Sequence, residues 1–326
     1  MKVSIIIPVY NRAAVVPVTL QSVLSQTHRP LQVVLVDNDS TDDTLRVLQE
    51  FQKEHESEQF EVVVTNESHH TAGAARNRGF EFATGDWVLF FDSDDQMEAR
   101  LVASYVNIIK KHQEKGKPLD LISARSTIVF PDGSHRQAPF HTRDLFAQHI
   151  LHAQLATQRY AVRRQFFADT DWWNINLPGW NDWELGLRLL LARPYVSFMG
   201  GKSRITINHN GDDSITGTEF HSRQGQWEHV IDIMKNEVSC SQLKPEYKLR
   251  YERLLEYRRI VLAAQYEREG YPELAKPLCQ KAYQSLRESY DNSRRWRWIV
   301  APVTRRLFTR IATGKRGSAH IARILF

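Results

Sequence analysis

The run Gly85-Asp86-Trp87-Val88-Leu89-Phe90-Phe91-Asp92-Ser93-Asp94-Asp95 constrains this chain more than any other segment. Trp87 to Phe91 are consecutive apolar, strand-forming residues, the pattern of a parallel strand buried on both faces. Three carboxylates fall in the next four positions. In an open α/β sheet the carboxyl ends of the strands are where ligands bind. Packed carboxylates repel one another and lose hydration unless a cation sits among them. Mg²⁺ and Mn²⁺ prefer such hard oxygen donors, and Mg²⁺ commonly completes its shell with substrate phosphates. Taken alone, Asp-Ser-Asp-Asp would read as a solvated turn capping a helix. The flanking sequence decides between the two.

The first hundred residues alternate strand and helix patterns, which predicts a parallel sheet. Strands are expected at Val3–Val9, Leu31–Val36, Phe60–Thr65 and Trp87–Phe91. Helices are expected at Ala13–Gln26, from a capping box at Ser40-Thr41-Asp42-Asp43 to His55, and at Ala74–Ala83. Beyond residue 100 the pattern is less regular. A strand from Leu119 enters a hairpin at Pro131-Asp132-Gly133, Asp182–Leu191 reads as a helix, and Tyr195–Met199 and Arg204–Asn208 read as strands. From Ser222 onward the pattern is helical, with a pair joined at Gly270-Tyr271-Pro272. The division expected is 1–221, with halves 1–98 and 99–221, then a helical extension 222–290 and a tail 291–326. Neither the Gly-x-Gly-x-x-Gly nor the P-loop fingerprint occurs.

Composition is that of an ordinary globular protein, 42% hydrophobic and 25% charged. Two cysteines, Cys240 and Cys279, without metal-type spacing argue for a reducing compartment. The opening run lacks the regions of a signal peptide, and no apolar stretch is long enough to span a bilayer. Charge is uneven. Residues 291–326 carry nine Arg and Lys against Asp291, a net of +8 in a chain of net +5, which leaves −3 on residues 1–290. Such asymmetry suggests an anionic partner. In the tail, Val303, Leu307, Phe308 and Ile311 share one arc of a helical wheel, and Arg305, Arg306 and Arg310 the opposite one. A basic amphipathic helix of this kind lies in the headgroup plane of an anionic membrane. The alternatives are packing on the catalytic domain or pairing two subunits as a homodimer. Nucleic acid is not the expected partner.

Four segments at successive strand ends, Ser4-Ile5-Ile6-Ile7-Pro8-Val9-Tyr10-Asn11, Val36-Asp37-Asn38-Asp39-Ser40-Thr41-Asp42, Gly73 to Gly79 and Gly85 to Asp95, together resemble a family 2 glycosyltransferase of the GT-A fold. Asn181-Asp182-Trp183-Glu184 stands where that family carries its acidic base motif. The resemblance covers about residues 1–215. It implies an α/β fold, a mostly parallel sheet flanked by helices, with a helical C-terminal extension. It implies inverting, Mn²⁺- or Mg²⁺-dependent transfer of a sugar from a nucleoside-diphosphate sugar to a hydroxyl of a saccharide or lipid-linked acceptor. The expected setting is bacterial surface polysaccharide synthesis, peripheral at the cytoplasmic face of the cell membrane.

By the same resemblance Pro8, Val9, Asn11, Asp37, Asn38, Arg76, Asp92 and Asp94 would bind the donor. Asn38 stands where a second Asp is usual, which leaves the base open. Asp94, Asp95 and His209 would face the metal. Asp182 is the candidate base, with Glu184 as runner-up. Trp172, Trp173, Trp180 and Trp183 crowd the same stretch and suggest an acceptor wall, since aromatic faces pack on sugar rings. Two rivals remain at this point. A sugar nucleotidyltransferase would want a Gly-rich, Lys-bearing loop where Tyr10-Asn11-Arg12 stands. A non-catalytic carbohydrate- or nucleic-acid-binding protein gives no reason for carboxylates at both places.

Overall fold

The apolar runs become the strands of one twisted sheet. In the computed structural model, which describes residues 1–177, 179–208, 219–315 and 319–326, the chain begins β1 (Val3–Val9), α1 (Val16–Leu24), β2 (Leu31–Asp37), α2 (Thr44–His55), β3 (Phe60–Asn66), α3 (Ala72–Glu81), β4 (Trp87–Phe90). It continues β5 (Gln96–Met97), α4 (Leu101–Glu114), β6 (Leu121–Ala124), β7 (Ser126–Val129), β8 (His135–Gln137), α5 (Leu145–His152), β9 (Tyr160–Arg163), α6 (Arg164–Ala168), α7 (Asn181–Leu191), β10 (Val196–Met199), β11 (Ile205–Asn208). Helices then follow one another: α8 (Gln226–Cys240), α9 (Pro245–Arg268), α10 (Pro272–Ser289), α11 (Ala301–Ala312) and α12 (Ala319–Leu325).

The main sheet has the order β10-β6-β9-β4-β1-β2-β3, with β9 antiparallel to both its neighbours and the other pairings parallel. β1 pairs with β2 on one side and β4 on the other, so strand order reverses there. Ile5, Ile6 and Ile7 are wholly buried because helices cover both faces. Expected strands and helices appear within a few residues of their predicted limits. The predicted capping box differs: Asp42 accepts from Thr44 N–H at 3.0 Å, while Ser40 accepts from Asn11 N–H at 3.0 Å and so ties two loops together.

α3 carries two glycines, and the one at Gly79 has a packing reason. A Cβ on Gly79 would stand 2.3 Å from Ile6 Cγ2 and 3.1 Å from Val36 Cγ2. The absence of a side chain lets α3 sit against β1 and β2, which fixes the height of Arg76 above the strand ends. The entry to β4 is fixed by a buried polar network. Ser4 Oγ donates to Gln32 Oε1 at 2.5 Å and accepts Gly85 N–H at 2.8 Å, and Thr84 N–H also reaches Gln32 Oε1, at 2.9 Å. A second sheet, β5-β11-β7-β8, brings β11 alongside β5, which begins directly after the carboxylate run.

The chain divides into two compact units. The first comprises Met1–Thr142, Leu155–Leu185 and the segment from Ala192 through β11; the second comprises Arg143–Gln154, Gly186–Leu191 and the C-terminal helices. These units cut the chain differently from the expected boundaries at 221 and 291. α5 and the later part of α7 belong with the C-terminal helices, and so do residues 291–315 and 319–326. In the second unit α8, α10 and α11 pack on α9. Arg259, wholly buried, pairs with Asp232 at 2.5 Å and Glu256 at 3.1 Å, and Glu256 takes Lys235 at 2.5 Å, so the charges are compensated. Val300, Thr304, Leu307 and Ile311 form the buried stripe of the last segment. The apolar arc expected to lie in lipid is thus largely used against α9, and Arg305, Arg306 and Arg310 stay exposed. Among the described residues no helix is long and apolar enough to cross a membrane.

The packing of α3 gives a direct test. Gly79→Ala should lower unfolding free energy by about 1–3 kcal/mol, as overpacking does, read by denaturant titration. Unchanged stability would show that α3 can shift freely over the sheet.

Candidate active site

Phe91 N–H completes the ladder to Ile6 at 2.9 Å, and Asp92 is the first residue beyond it. The four residues that follow are clamped on three sides. Thr19, fully buried on α1, has its hydroxyl 2.9 Å from the Ser93 carbonyl and 2.8 Å from that of Asp95. Gln158 donates to Asp95 Oδ2 and lies 3.2 Å from Asp92 Oδ2. Asn208 at the end of β11 donates its N–H to Asp95 Oδ1 at 2.8 Å and its amide to the Asp94 carbonyl.

These contacts separate the three carboxylates. Asp95 is 1% exposed, and both of its oxygens accept from protein amides. It anchors the loop from beneath. Asp92 and Asp94 remain partly exposed. Burial, then the charges of Asp92 and Asp94, holds the Asp95 carboxyl well above the usual aspartate range, against the pull of its two amide donors.

Arg76 is the counter-charge. Its side chain is buried, with Nη2 2.7 Å from Asp92 Oδ1, and its guanidinium lies over the Trp173 ring at 4.4 Å. Nε and Nη1 are shielded from solvent and have no hydrogen-bond partner. A planar cation with unused donors, stacked on an indole ring, suits a phosphate oxygen. The loop beneath it is locked by a reciprocal amide pair: Asn77 donates to the Trp173 carbonyl at 2.9 Å and accepts Trp173 N–H at 3.0 Å.

Asp37 closes β2 and is 4% exposed. Its Oδ2 accepts Ser40 N–H at 3.2 Å, and its Oδ1 has no partner. A buried acceptor without a donor is costly, and a ligand N–H would satisfy it. Asn38 points its amide elsewhere and donates to the Glu67 and His69 carbonyls at 2.8 and 2.9 Å. The amide in place of a second Asp thus holds the loop after β3, a bond a carboxylate could not donate. Asn11, with φ of 49°, accepts Thr41 N–H at 2.8 Å, and Val9 accepts Asn38 N–H at 2.8 Å. Pro8, Val9 and Asn11 therefore border the same strand-end cleft as Asp37.

Asp182 lies in the first turn of α7, partly buried, its Oδ1 accepting Trp183 N–H at 2.8 Å. Burial raises its pKa. Among charges, Arg76 lowers it and Asp92 raises it, so these three groups share one field. Glu184 is 1% exposed, which leaves Asp182 the accessible carboxylate of the pair. Trp173 and Trp183 are 3% exposed. Trp173 packs under Arg76 and edge-on to Phe90, at 5.2 Å between ring centroids, and Trp183 packs against Trp180 at 5.3 Å. The expected acceptor wall is corrected on these two: they are packing, and only Trp172 and Trp180 are partly open. His209 lies outside the described residues, and among the described residues no three metal-ligating side chains converge. Sequence reasoning gave no role to Gln158, Asn208, Asn77 or Thr19; Asn77 lies within the Gly73-to-Gly79 segment, where only Arg76 was singled out.

The family model for glycosyl transferase family 2 matches residues 4–126. A PGL/p-HBAD biosynthesis glycosyltransferase of Mycobacterium tuberculosis is 31% identical over 188 residues, spanning 57% of this chain and 68% of the relative. The chain belongs to glycosyltransferase family 2. Another similar protein, the poly(ribitol-phosphate) beta-glucosyltransferase of Bacillus spizizenii, is 34% identical over 117 residues, 35% of this chain and 18% of that protein. Among solved structures, S. aureus TarS 1-349 in complex with UDP-GlcNAc aligns with TM-score 0.66 and 17% identity over 97% of this chain and 93% of that one. The mannosyltransferase PcManGT of Pyrobaculum calidifontis, in complex with GDP-Man and Mn²⁺, gives 0.58 and 15% over 99% and 86%. The fold is the GT-A fold that the strand-end motifs implied. As a family 2 glycosyltransferase the enzyme transfers a sugar from a nucleotide-sugar donor, and the nucleotidyltransferase and non-catalytic readings fall away.

Two outcomes follow from the shared field. As the candidate base, Asp182 would have to be ionised to accept a proton, and its pKa is raised. The acid limb of kcat/KM should therefore lie above the ordinary aspartate value, and Arg76→Gln, removing the charge that lowers it, should move that limb towards neutral pH. A limb that stays in place would separate Arg76 from Asp182. For Asp95, a raised folded-state pKa means that the metal-free protein loses stability as pH rises from the unfolded through the folded value. Thermal melts across that window should show the fall, and Asp95→Asn should flatten it.

Proposed function

We propose that this family 2 glycosyltransferase is an inverting, divalent-metal-dependent enzyme that glycosylates a hydroxyl of a saccharide or lipid-linked acceptor in bacterial surface-glycan synthesis. The observation that carries this reading is the Arg76–Asp92 pair at the end of β4, acting on the same carboxylate field as Asp182. The relatives named for PGL/p-HBAD biosynthesis and poly(ribitol-phosphate) glucosylation support the substrate class, and TarS with UDP-GlcNAc and PcManGT with GDP-Man support a nucleoside-diphosphate donor.

In this reading the base reaches the unpartnered Asp37 Oδ1 between Pro8, Val9 and Asn11. Arg76 turns its unused donors to the diphosphate. Asp94, with Asp92, would hold Mn²⁺ or Mg²⁺. The fit is that of a cation held by one or two carboxylates and completed by substrate phosphates rather than caged by protein, and both Asp92 and Asp94 are partly exposed at the strand end. A bound cation neutralises charge on the leaving diphosphate. Asp182 accepts the acceptor hydroxyl's proton as that oxygen attacks the anomeric carbon from the face opposite the leaving group, which inverts the configuration. Peripheral association with an anionic membrane surface belongs to the same reading, since it brings the cleft to a lipid-linked acceptor.

The test is a donor panel with Mn²⁺, scored by nucleoside-diphosphate release and by proton NMR of the first product formed. Inversion at the anomeric carbon is expected; retention would overturn the mechanism. Asp182→Asn should lower kcat by ~10²–10⁴ with donor affinity nearly unchanged. Asp94→Asn should raise the melting temperature of the metal-free protein by roughly 2 °C or more, since like charges no longer crowd Asp95, while abolishing the stabilisation that Mn²⁺ gives. Full activity in excess chelator would exclude the metal.

A further inference from the structure

The helical unit contains a cavity of about 980 Å³ in the groove between α10 and the segment from the π-helical turn Trp296–Val300 into α11. The sugar-transfer chemistry does not use it. Its walls are aromatic, with Tyr283, Trp296 and Phe308, and its charge comes from Arg287, Arg297 and Arg305 against a single carboxylate, Glu288. Arg297 and Arg305 form no ion pair among the described residues. Tyr283 meets Trp296 edge-on at 6.1 Å, and its hydroxyl is shielded from solvent without a hydrogen-bond partner. The Arg305 charge acts on that hydroxyl. Beside the groove the chain exposes Trp298 (79%) and Ile299 (52%).

Each feature points to the same ligand chemistry. The volume is within the range of small-molecule sites. Guanidinium groups without partners select phosphate or carboxylate. An orphaned hydroxyl adds a donor. Apolar walls take the first part of a hydrocarbon chain, and an exposed Trp next to cations is the side-chain pairing of a membrane interface. The net +8 of residues 291–326 supplies the long-range attraction to an anionic leaflet.

We propose that this groove receives the phosphate head of an anionic membrane lipid, with Arg297, Arg305 and the Tyr283 hydroxyl on the phosphate and Trp296 and Phe308 along the chain beneath it. The proposal rests on the peripheral-membrane reading above and replaces the apolar arc of α11, whose Leu307 and Ile311 are packed inward, by a different contact. Trp298 and Ile299 would enter the interface beside the bound head.

The test uses the full chain. Monomeric short-chain phosphatidylglycerol, below its micelle concentration, should bind saturably, and inorganic phosphate should compete poorly. The Arg297→Gln, Arg305→Gln pair should weaken binding about thirtyfold, the equivalent of about 1 kcal/mol for each basic residue. Tyr283→Phe should weaken it about tenfold with charge unchanged. The control pair Arg294→Gln, Arg306→Gln, exposed and outside the groove, should bind as the unaltered protein does. Equal loss in both pairs, no saturable binding, or phosphate binding as tightly as the lipid would overturn the proposal. Flotation with phosphatidylcholine vesicles, with and without phosphatidylglycerol, keeps the two readings apart. Binding of monomeric lipid without flotation would leave the groove standing and remove the membrane reading. Flotation undiminished in the groove pair would do the reverse.

Discussion

Asp92, Asp94 and Asp95 are held together although like charges in a low-dielectric loop repel. The contacts around them offset that repulsion. Thr19 pins the backbone, Gln158 and Asn208 bind Asp95, and Arg76 neutralises Asp92. The arrangement stays strained in one respect, the raised pKa of Asp95. Local destabilisation of this kind is what functional sites hold in reserve for a ligand. Here a cation and a diphosphate would remove it.

The rest of the first unit supports that loop. β4 ends where β1 still continues, so Asp92 emerges beside Pro8 and Val9. Gly79 lets α3 approach closely enough for Arg76 to reach Asp92, and Trp173 covers the guanidinium from the other side, itself fixed by Asn77. β11 in the second sheet delivers Asn208 to the loop. Asp182 then titrates under charges of opposite sign, and its position on the first turn of α7 adds a favourable helix end for its ionised form.

How much of this was legible in the sequence followed from how much pattern each feature carries. Strand-helix alternation and the apolar run before Asp92 are periodic or clustered, and the structure forms those strands and helices as expected; the acidic pair at Asp182 is clustered too, which is why it stood out. Gln158, Asn208 and Asn77 act singly, through contacts 63 to 113 residues away in the chain, and nothing in their local sequence predicts those partners. Trp173 and Trp183 looked like an acceptor wall because aromatic residues near a base read alike whether open or buried. The α11 arc failed for the same reason: an amphipathic helix has one pattern for lipid and for protein, and burial of Leu307 and Ile311 decides for protein.

The most direct measurement is a diffraction experiment on the full chain with Mn²⁺ and the nucleoside diphosphate that the donor panel selects, with an anomalous map at the manganese edge. The expected result is one manganese peak bonded to the Asp94 carboxylate and to the diphosphate, with Arg76 turned to a phosphate oxygen and the base at Asp37. A diphosphate bound away from the end of β4, or bound there without metal and with Arg76 still closed on Asp92, would contradict it.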